Sequence, residues 1–149
     1  MQKPPYIVGS TVSVSRTISE SDVYLFGGIT GDLGPNHINE EYSKVNTPHG
    51  RRVVHGVYLL GLASAASTLI GDQYDKGAWR GTSYGYDKVR FIKPVFIGDT
   101  VTIKYTVREL DESNMKTYAE VTGTNQHDEI CFAAVHINIG LKPLSRAGR

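Results

Sequence analysis

The pattern of hydrophobic and polar positions in the first half of the chain predicts one short strand followed by helices. Alternating residues 12–17 predict the strand, with one buried face. Ser19 resembles a helix N-cap, and the helix that follows is expected to end at Gly31, shortly before a Gly-Pro pair. A second, short helix is predicted after the cap Asn39. Residues 53–70 carry no formal charge apart from a potential one on a histidine, so they predict a long buried helix.

The second half of the chain predicts four strands. Residues 99–108 show the pattern most clearly, because apolar side chains alternate there with polar ones. The other strands are predicted at residues 83–91, 116–122 and 130–139. Short turns join the last three strands, so these must pair as an antiparallel meander. The order of elements indicates an α+β fold, in which a curled antiparallel sheet is the simplest cover for the long apolar helix.

The composition fits one globular domain, expected to span residues 1–149 with its core at 11–141 and a loose tail at 142–149. The net charge of +1 argues against a strongly basic nucleic-acid binder. A single cysteine, Cys131, cannot form an internal disulfide, which indicates a reducing compartment such as the cytoplasm. Small and polar residues lower the hydrophobicity of the long helix, so we expect that it does not span a membrane. No histidine spacing typical of a metal site is found.

The candidate chemistry lies in the segment TGDLGPNH, residues 30–37. Its Gly-Pro loop can fold the carboxylate of Asp32 toward the imidazole of His37, and such a pair can hold and activate one water. The N–H of Gly56, early in the long helix, lacks a helical partner and can donate to a developing oxyanion. On residue types alone, an aspartate at this place is more often part of an Asx turn, and a loop histidine is more often structural.

Three segments resemble a known family. FGGITGDLGPNHINEEY resembles the hydratase motif of the MaoC-like (R)-specific enoyl-CoA hydratases, RRVVHGVYLLGLASAAS resembles the segment in which His-Gly opens their central helix, and VRFIKPVFIGDT resembles a strand and turn of hot-dog folds. This resemblance implies a hot-dog domain, in which a curled antiparallel sheet wraps around one long α-helix. It also implies reversible hydration of a trans-2-enoyl-CoA to a (3R)-3-hydroxyacyl-CoA, without a cofactor.

The resemblance also implies roles for particular residues. Asp32, as general base, and His37 would hold the water and return a proton on the same face, giving syn addition, while the Gly56 N–H would bind the thioester oxygen. Ser64 matches a position near the acyl pocket, although it equally fits a small residue that lets the sheet pack close to the helix. The predicted substrate-binding residues are Asn36, His55, Ser64, Arg90 and Lys93.

Two positions depart from the family motif. The asparagine before the proline is replaced by Gly34, and the aliphatic residue before the histidine is replaced by Asn36. An amide is therefore lost at one position, and Asn36 offers a replacement two positions further on. These changes bear on the acyl group of the substrate, which they allow to be branched or carboxylated, more than on the Asp-His pair.

Two other functions fit the same residues. A non-catalytic acyl-CoA-binding module would explain the changed motif, and a thioesterase would use an activated water to attack the carbonyl. A homodimer is expected, with a higher oligomer of dimers as the alternative, because joining two sheets protects their edges. The expected partners are a CoA thioester and a second copy of the chain, with no nucleic acid and no membrane.

Overall fold

The computed structural model describes residues 6–74 and 80–141, and the predicted loose tail lies outside them. Its elements, in chain order, are β1 (Thr11–Thr17), α1 (Glu20–Thr30), α2 (Pro35–Ile38), α3 (Glu40–Asn46), α4 (Tyr58–Tyr74), β2 (Arg80–Phe91), β3 (Thr100–Asp111), β4 (Lys116–Thr124) and β5 (Ile130–Leu141). The strands form one antiparallel sheet in the order β1-β3-β4-β5-β2, and α4 packs on it. The predicted α+β class and the meander of the last three strands are confirmed.

The helices α1 and α3 are fixed by the caps that the sequence predicts. Ser19 accepts a hydrogen bond from the backbone N–H of Asp22, whose carboxylate accepts one from the backbone of Ser19, so a capping box is complete. The helix α1 ends at Gly31 with a left-handed φ of 79°. Asn39 accepts from the N–H of Tyr42 at 2.9 Å and starts α3. The loop between α1 and α3 is therefore held at both ends.

Two helix boundaries differ from the prediction. The predicted Gly-Pro loop contains one helical turn, α2, because Pro35 already has the fixed φ of a first helical position. The long helix begins at Tyr58 instead of residue 53, since Val53 forms a β-bridge with Phe96 and the N–H of Val54 donates to the backbone of Val95. Within the described ranges, no helix is long and apolar enough to cross a membrane.

The core of the sheet contains a polar network that the hydrophobic pattern does not predict. Tyr105 lies on the buried face predicted for β3, and its hydroxyl contacts Nδ1 of His136 at 3.0 Å and accepts from Asn138 at 2.8 Å. Nε2 of His136 contacts the Ser83 hydroxyl at 2.9 Å, and the ring of Tyr86 stacks on the imidazole. Burial lowers the pKa of His136 to about 4 and raises the pKa of Tyr105.

Candidate active site

Asp32 and His37 lie in the one segment that follows α1, and His55, from further along the chain, meets them there. One side-chain ligand atom of each lies within 4.8 Å of those of the other two. Asp32 directly follows the left-handed Gly31, His37 lies on α2, and His55 lies on the segment that leads into α4. The loop that the sequence predicts to join the acid and the imidazole does bring them together.

The carboxylate of Asp32 is open to a substrate, because 52% of this side chain is exposed. Its Oδ1 accepts a hydrogen bond from the N–H of Gly34 at 3.4 Å, which is the contact of an Asx turn. Its backbone carbonyl accepts from Nε2 of His55 at 2.9 Å. The turn thus fixes the backbone around Asp32 and leaves Oδ2 free of a hydrogen bond within the described residues.

The contacts of His37 define which ring nitrogen can accept a proton. Nδ1 lies 2.7 Å from the backbone carbonyl of Val53. Because a carbonyl oxygen accepts only, Nδ1 must carry the proton of the neutral ring, and Nε2 therefore presents its lone pair. Nε2 lies 3.2 Å from the side-chain amide of Asn36. The neutral imidazole is thus an acceptor directed at the loop that carries Asp32.

His55 contacts both Asp32 and His37. It is 2% exposed, its ring stacks on that of His37 at 3.8 Å, and Phe26 packs against it at 4.8 Å. Its Nε2–H is engaged by the Asp32 carbonyl, and its Nδ1 has no hydrogen-bond partner among the described residues. These contacts fit a positioning role, and the substrate contact predicted for His55 stays a prediction.

Gly56 precedes α4 by two residues and lies in a turn, whereas the sequence places it inside the helix. Its N–H donates no hydrogen bond to any described residue. It lines a cavity of about 300 Å³, together with apolar residues that include Leu59 and Val95. A Cβ at this position would come within 2.9 Å of the Phe91 ring. Gly56 thus combines an N–H that has no hydrogen-bond partner among the described residues with a place on the wall of a largely apolar cavity.

Replacing Gly56 by alanine is expected to destabilise the fold by about 1–3 kcal/mol, because the added methyl group must displace the Phe91 ring. Urea unfolding measures this change. Gly61→Ala is the matched control: a Cβ at Gly61 meets nothing within 4 Å and improves the helix, so stability should be unchanged or rise by up to about 1 kcal/mol. Equal losses in the two variants would contradict the close packing of Phe91 on Gly56.

Comparison with known proteins identifies the family. Residues 8–130 match the family model described as "MaoC like domain". The chain belongs to the MaoC-like domain family. It is 39% identical over 102 residues to an (R)-specific enoyl-CoA hydratase of Rhodospirillum rubrum, covering 68% of this chain and 66% of the relative. It is 40% identical over 103 residues to a 3-hydroxybutyryl-CoA dehydratase of Methylorubrum extorquens, covering 69% and 61%. The matched part is thus slightly under two thirds of each relative's length.

Solved structures agree on the fold. An (R)-hydratase from A. caviae superposes with a TM-score of 0.75 at 25% identity, covering 89% of this chain and 96% of the other. A hot-dog-like protein from Thermanaerovibrio acidaminovorans superposes with a TM-score of 0.67 at 13% identity, covering 93% and 85%. The hot-dog fold expected from the resemblance is therefore confirmed for this MaoC-like domain.

Of the remaining predicted substrate contacts, one lines the cavity at Gly56 and two do not. Lys93 lines the cavity beside Gly56 and forms an ion pair with Glu129. Arg90 is exposed on β2, and its guanidinium donates to the backbone of Val89. Ser64 lies on the exposed face of α4, so the sheet of its own chain does not pack against it. Lys93 is thus the one of these three that lines the cavity.

Arg52 is a structural residue of the MaoC-like site that the motif comparison does not reveal. Its guanidinium bonds to Glu20 on α1 at 2.6 Å and to Glu40 on α3 at 3.0 Å, and its side chain is 15% exposed. It therefore ties together the two helices that flank the Asp32 loop. No sequence signal indicates this role, because Glu20 and Glu40 lie far from Arg52 along the chain.

Proposed function

We propose that this MaoC-like domain catalyses the reversible syn hydration of a trans-2-enoyl-CoA to a (3R)-3-hydroxyacyl-CoA. The observation that carries the proposal is the meeting of an exposed carboxylate, Asp32, with an imidazole whose Nε2 must be an acceptor, His37. The names of its relatives, an (R)-specific enoyl-CoA hydratase and a 3-hydroxybutyryl-CoA dehydratase, support the same reaction class.

The proposed mechanism uses one water between the two side chains. Nε2 of His37 accepts a hydrogen bond from the water and orients it, while the Asp32 carboxylate removes its other proton. The oxygen then adds to C3 of the enoyl group, and the electron pair of the double bond moves toward the thioester. The Gly56 N–H stabilises the enolate-like oxygen, and the Asp-His pair returns the proton to C2 on the same face. Neither proton transfer uses a metal or a cofactor.

The substrate would enter along the cavity at Gly56. The cavity is lined mainly by apolar side chains, among them Leu59 and Phe91, which suit the thioester and the pantetheine arm. Lys93 belongs both to this cavity and to a second one of about 320 Å³ that also contains Arg51. We therefore place the CoA phosphates near Lys93. Arg90 does not line either cavity, and its role as a phosphate contact remains a prediction.

We also propose that the domain acts as a homodimer in the cytoplasm. The strand β2 pairs with β5 on one side and with no described strand on the other. It carries exposed aromatic side chains, Tyr84 and Phe91, and Leu69 on α4 and Val57 directly before α4 are exposed as well. A second copy would cover this sheet edge and these apolar groups, and Ser64 would then face the dimer interface. The cytoplasmic assignment rests on the one buried cysteine, Cys131.

The proposed reaction is tested with crotonyl-CoA and a panel of longer, branched and carboxylated enoyl-CoAs. We expect the conjugated enoyl absorbance to fall without release of free thiol. Appearance of thiol would instead assign a thioesterase, and the Gly56 N–H would then serve the carbonyl under attack. Binding of the CoA esters without any turnover would establish a non-catalytic binding module. The preferred acyl group would show what the changes at Gly34 and Asn36 select.

A further inference from the structure

Asn36 directly contacts the nitrogen of His37 that faces the reaction. Its Nδ2 lies 3.2 Å from Nε2 of His37. Since the Val53 carbonyl holds the proton of the neutral ring on Nδ1, Nε2 can only accept, and the amide of Asn36 must donate. The imidazole is thus held at both nitrogens, by a backbone carbonyl on one side and by this side-chain amide on the other.

Gly34 leaves the space that this amide occupies. A Cβ built on Gly34 would lie 2.8 Å from Oδ1 of Asn36, 3.3 Å from Cδ2 of His37 and 3.4 Å from Oδ1 of Asp32. The backbone of Gly34, with φ of −51° and ψ of 132°, is open to any residue. A side chain at this position would therefore meet the amide of Asn36 first, and the backbone conformation of Gly34 would not oppose it.

We propose that Asn36 is a positioning residue for His37, and that Gly34 and Asn36 form a coupled pair in which any side chain at position 34 displaces the amide at position 36. This inference rests on the proposed function insofar as His37 orients the reacting water. Nε2 has one lone pair, so the amide occupies this nitrogen before the substrate binds and keeps the ring in its orientation, and the reacting water then takes the place of the amide. Acting through His37, Asn36 should influence the turnover rate more than the binding of the substrate.

A double-mutant cycle tests the coupling. Gly34→Ala and Asn36→Ala are each expected to lower kcat by about tenfold or more, because a misplaced reacting group is costly, with little change in KM. The double variant should be no slower than Asn36→Ala alone, since the closest contact of the methyl group, 2.8 Å to Oδ1 of Asn36, is then removed. Asn36→Asp, which has nearly the same shape but cannot donate to Nε2, should be as slow as Asn36→Ala. Gly28→Ala is the control, because a Cβ there meets nothing within 4 Å.

The ¹⁵N resonance of His37 Nε2 gives a readout that does not require turnover. Gly34→Ala and Asn36→Ala should shift it alike, the double variant should match Asn36→Ala, and Gly28→Ala should leave it unchanged. Additive effects of the two single variants would overturn the coupling. A raised KM with unchanged kcat in Asn36→Ala would make Asn36 a substrate contact instead. If the wild-type protein turned over no enoyl-CoA, the proposed function would fail, while the NMR cycle would still decide whether Asn36 positions His37.

Discussion

Replacing Asp32 by asparagine is expected to lower the hydration rate by about a hundredfold or more, because the variant has no carboxylate to take the proton of the water. The fold should survive. The asparagine amide oxygen can keep the contact with the Gly34 N–H, and the bond from His55 goes to the backbone carbonyl, which the substitution leaves in place. The loss is measured as the rate of decline of the enoyl absorbance of crotonyl-CoA.

The matched control is Asp72→Asn, which removes a charge from an exposed aspartate on α4 outside the candidate site. It should hydrate crotonyl-CoA at the wild-type rate. Comparison of the two variants removes the effect of net charge on the attraction of the CoA phosphates. If Asp32→Asn kept more than about a tenth of the wild-type rate, a role as general base would be untenable, since such a group contributes far more.

The local elements of this fold follow from short sequence signals. The caps of α1 and α3 are predicted correctly because each depends on side-chain and backbone groups within a few residues. The buried face of β3 is also predicted correctly, since one sheet face is apolar throughout. The Asp32 loop is predicted to approach His37 because both lie in one segment between two caps. These features are local, so sequence reasoning reaches them.

The contacts that complete the site depend on residues far apart in the chain. The stacking of His55 on His37 and the bond from His37 to Val53 require the segment before α4 to return across the loop. In the same way, the polar His136 and Asn138 of β5 are buried along with its apolar residues. Periodicity cannot foresee this, because burial of these polar groups becomes acceptable only when Tyr105 and Ser67 supply hydrogen-bond partners from other elements.

The buried His136 is expected to make the fold sensitive to mild acid. Its side chain is 1% exposed, its polar contacts are the neutral Ser83 and Tyr105, and burial lowers its pKa from the ordinary 6.5 to about 4. Between these two pH values the unfolded chain binds more protons than the folded one, so the free energy of unfolding falls as the pH falls. One such group gives a loss of about 2 kcal/mol between pH 7 and pH 5.

Urea unfolding at pH 7, 6 and 5 measures this loss. These pH values lie above 3.8, the ordinary pKa of an aspartate. Hydrogen bonds to Ser113 and Asn114 lower the pKa of Asp111 to about 2, and the ordinary Asp value is 3.8, so this group affects stability chiefly below pH 5. His136→Gln should be less stable at pH 7 and should lose most of the dependence on pH. His127→Gln, which changes an exposed histidine, should keep it. If the stability of His136→Gln kept the full dependence on pH, the acid sensitivity would have to arise at another group. The cost of protonating the His136 ring among uncharged partners would then be smaller than its burial implies.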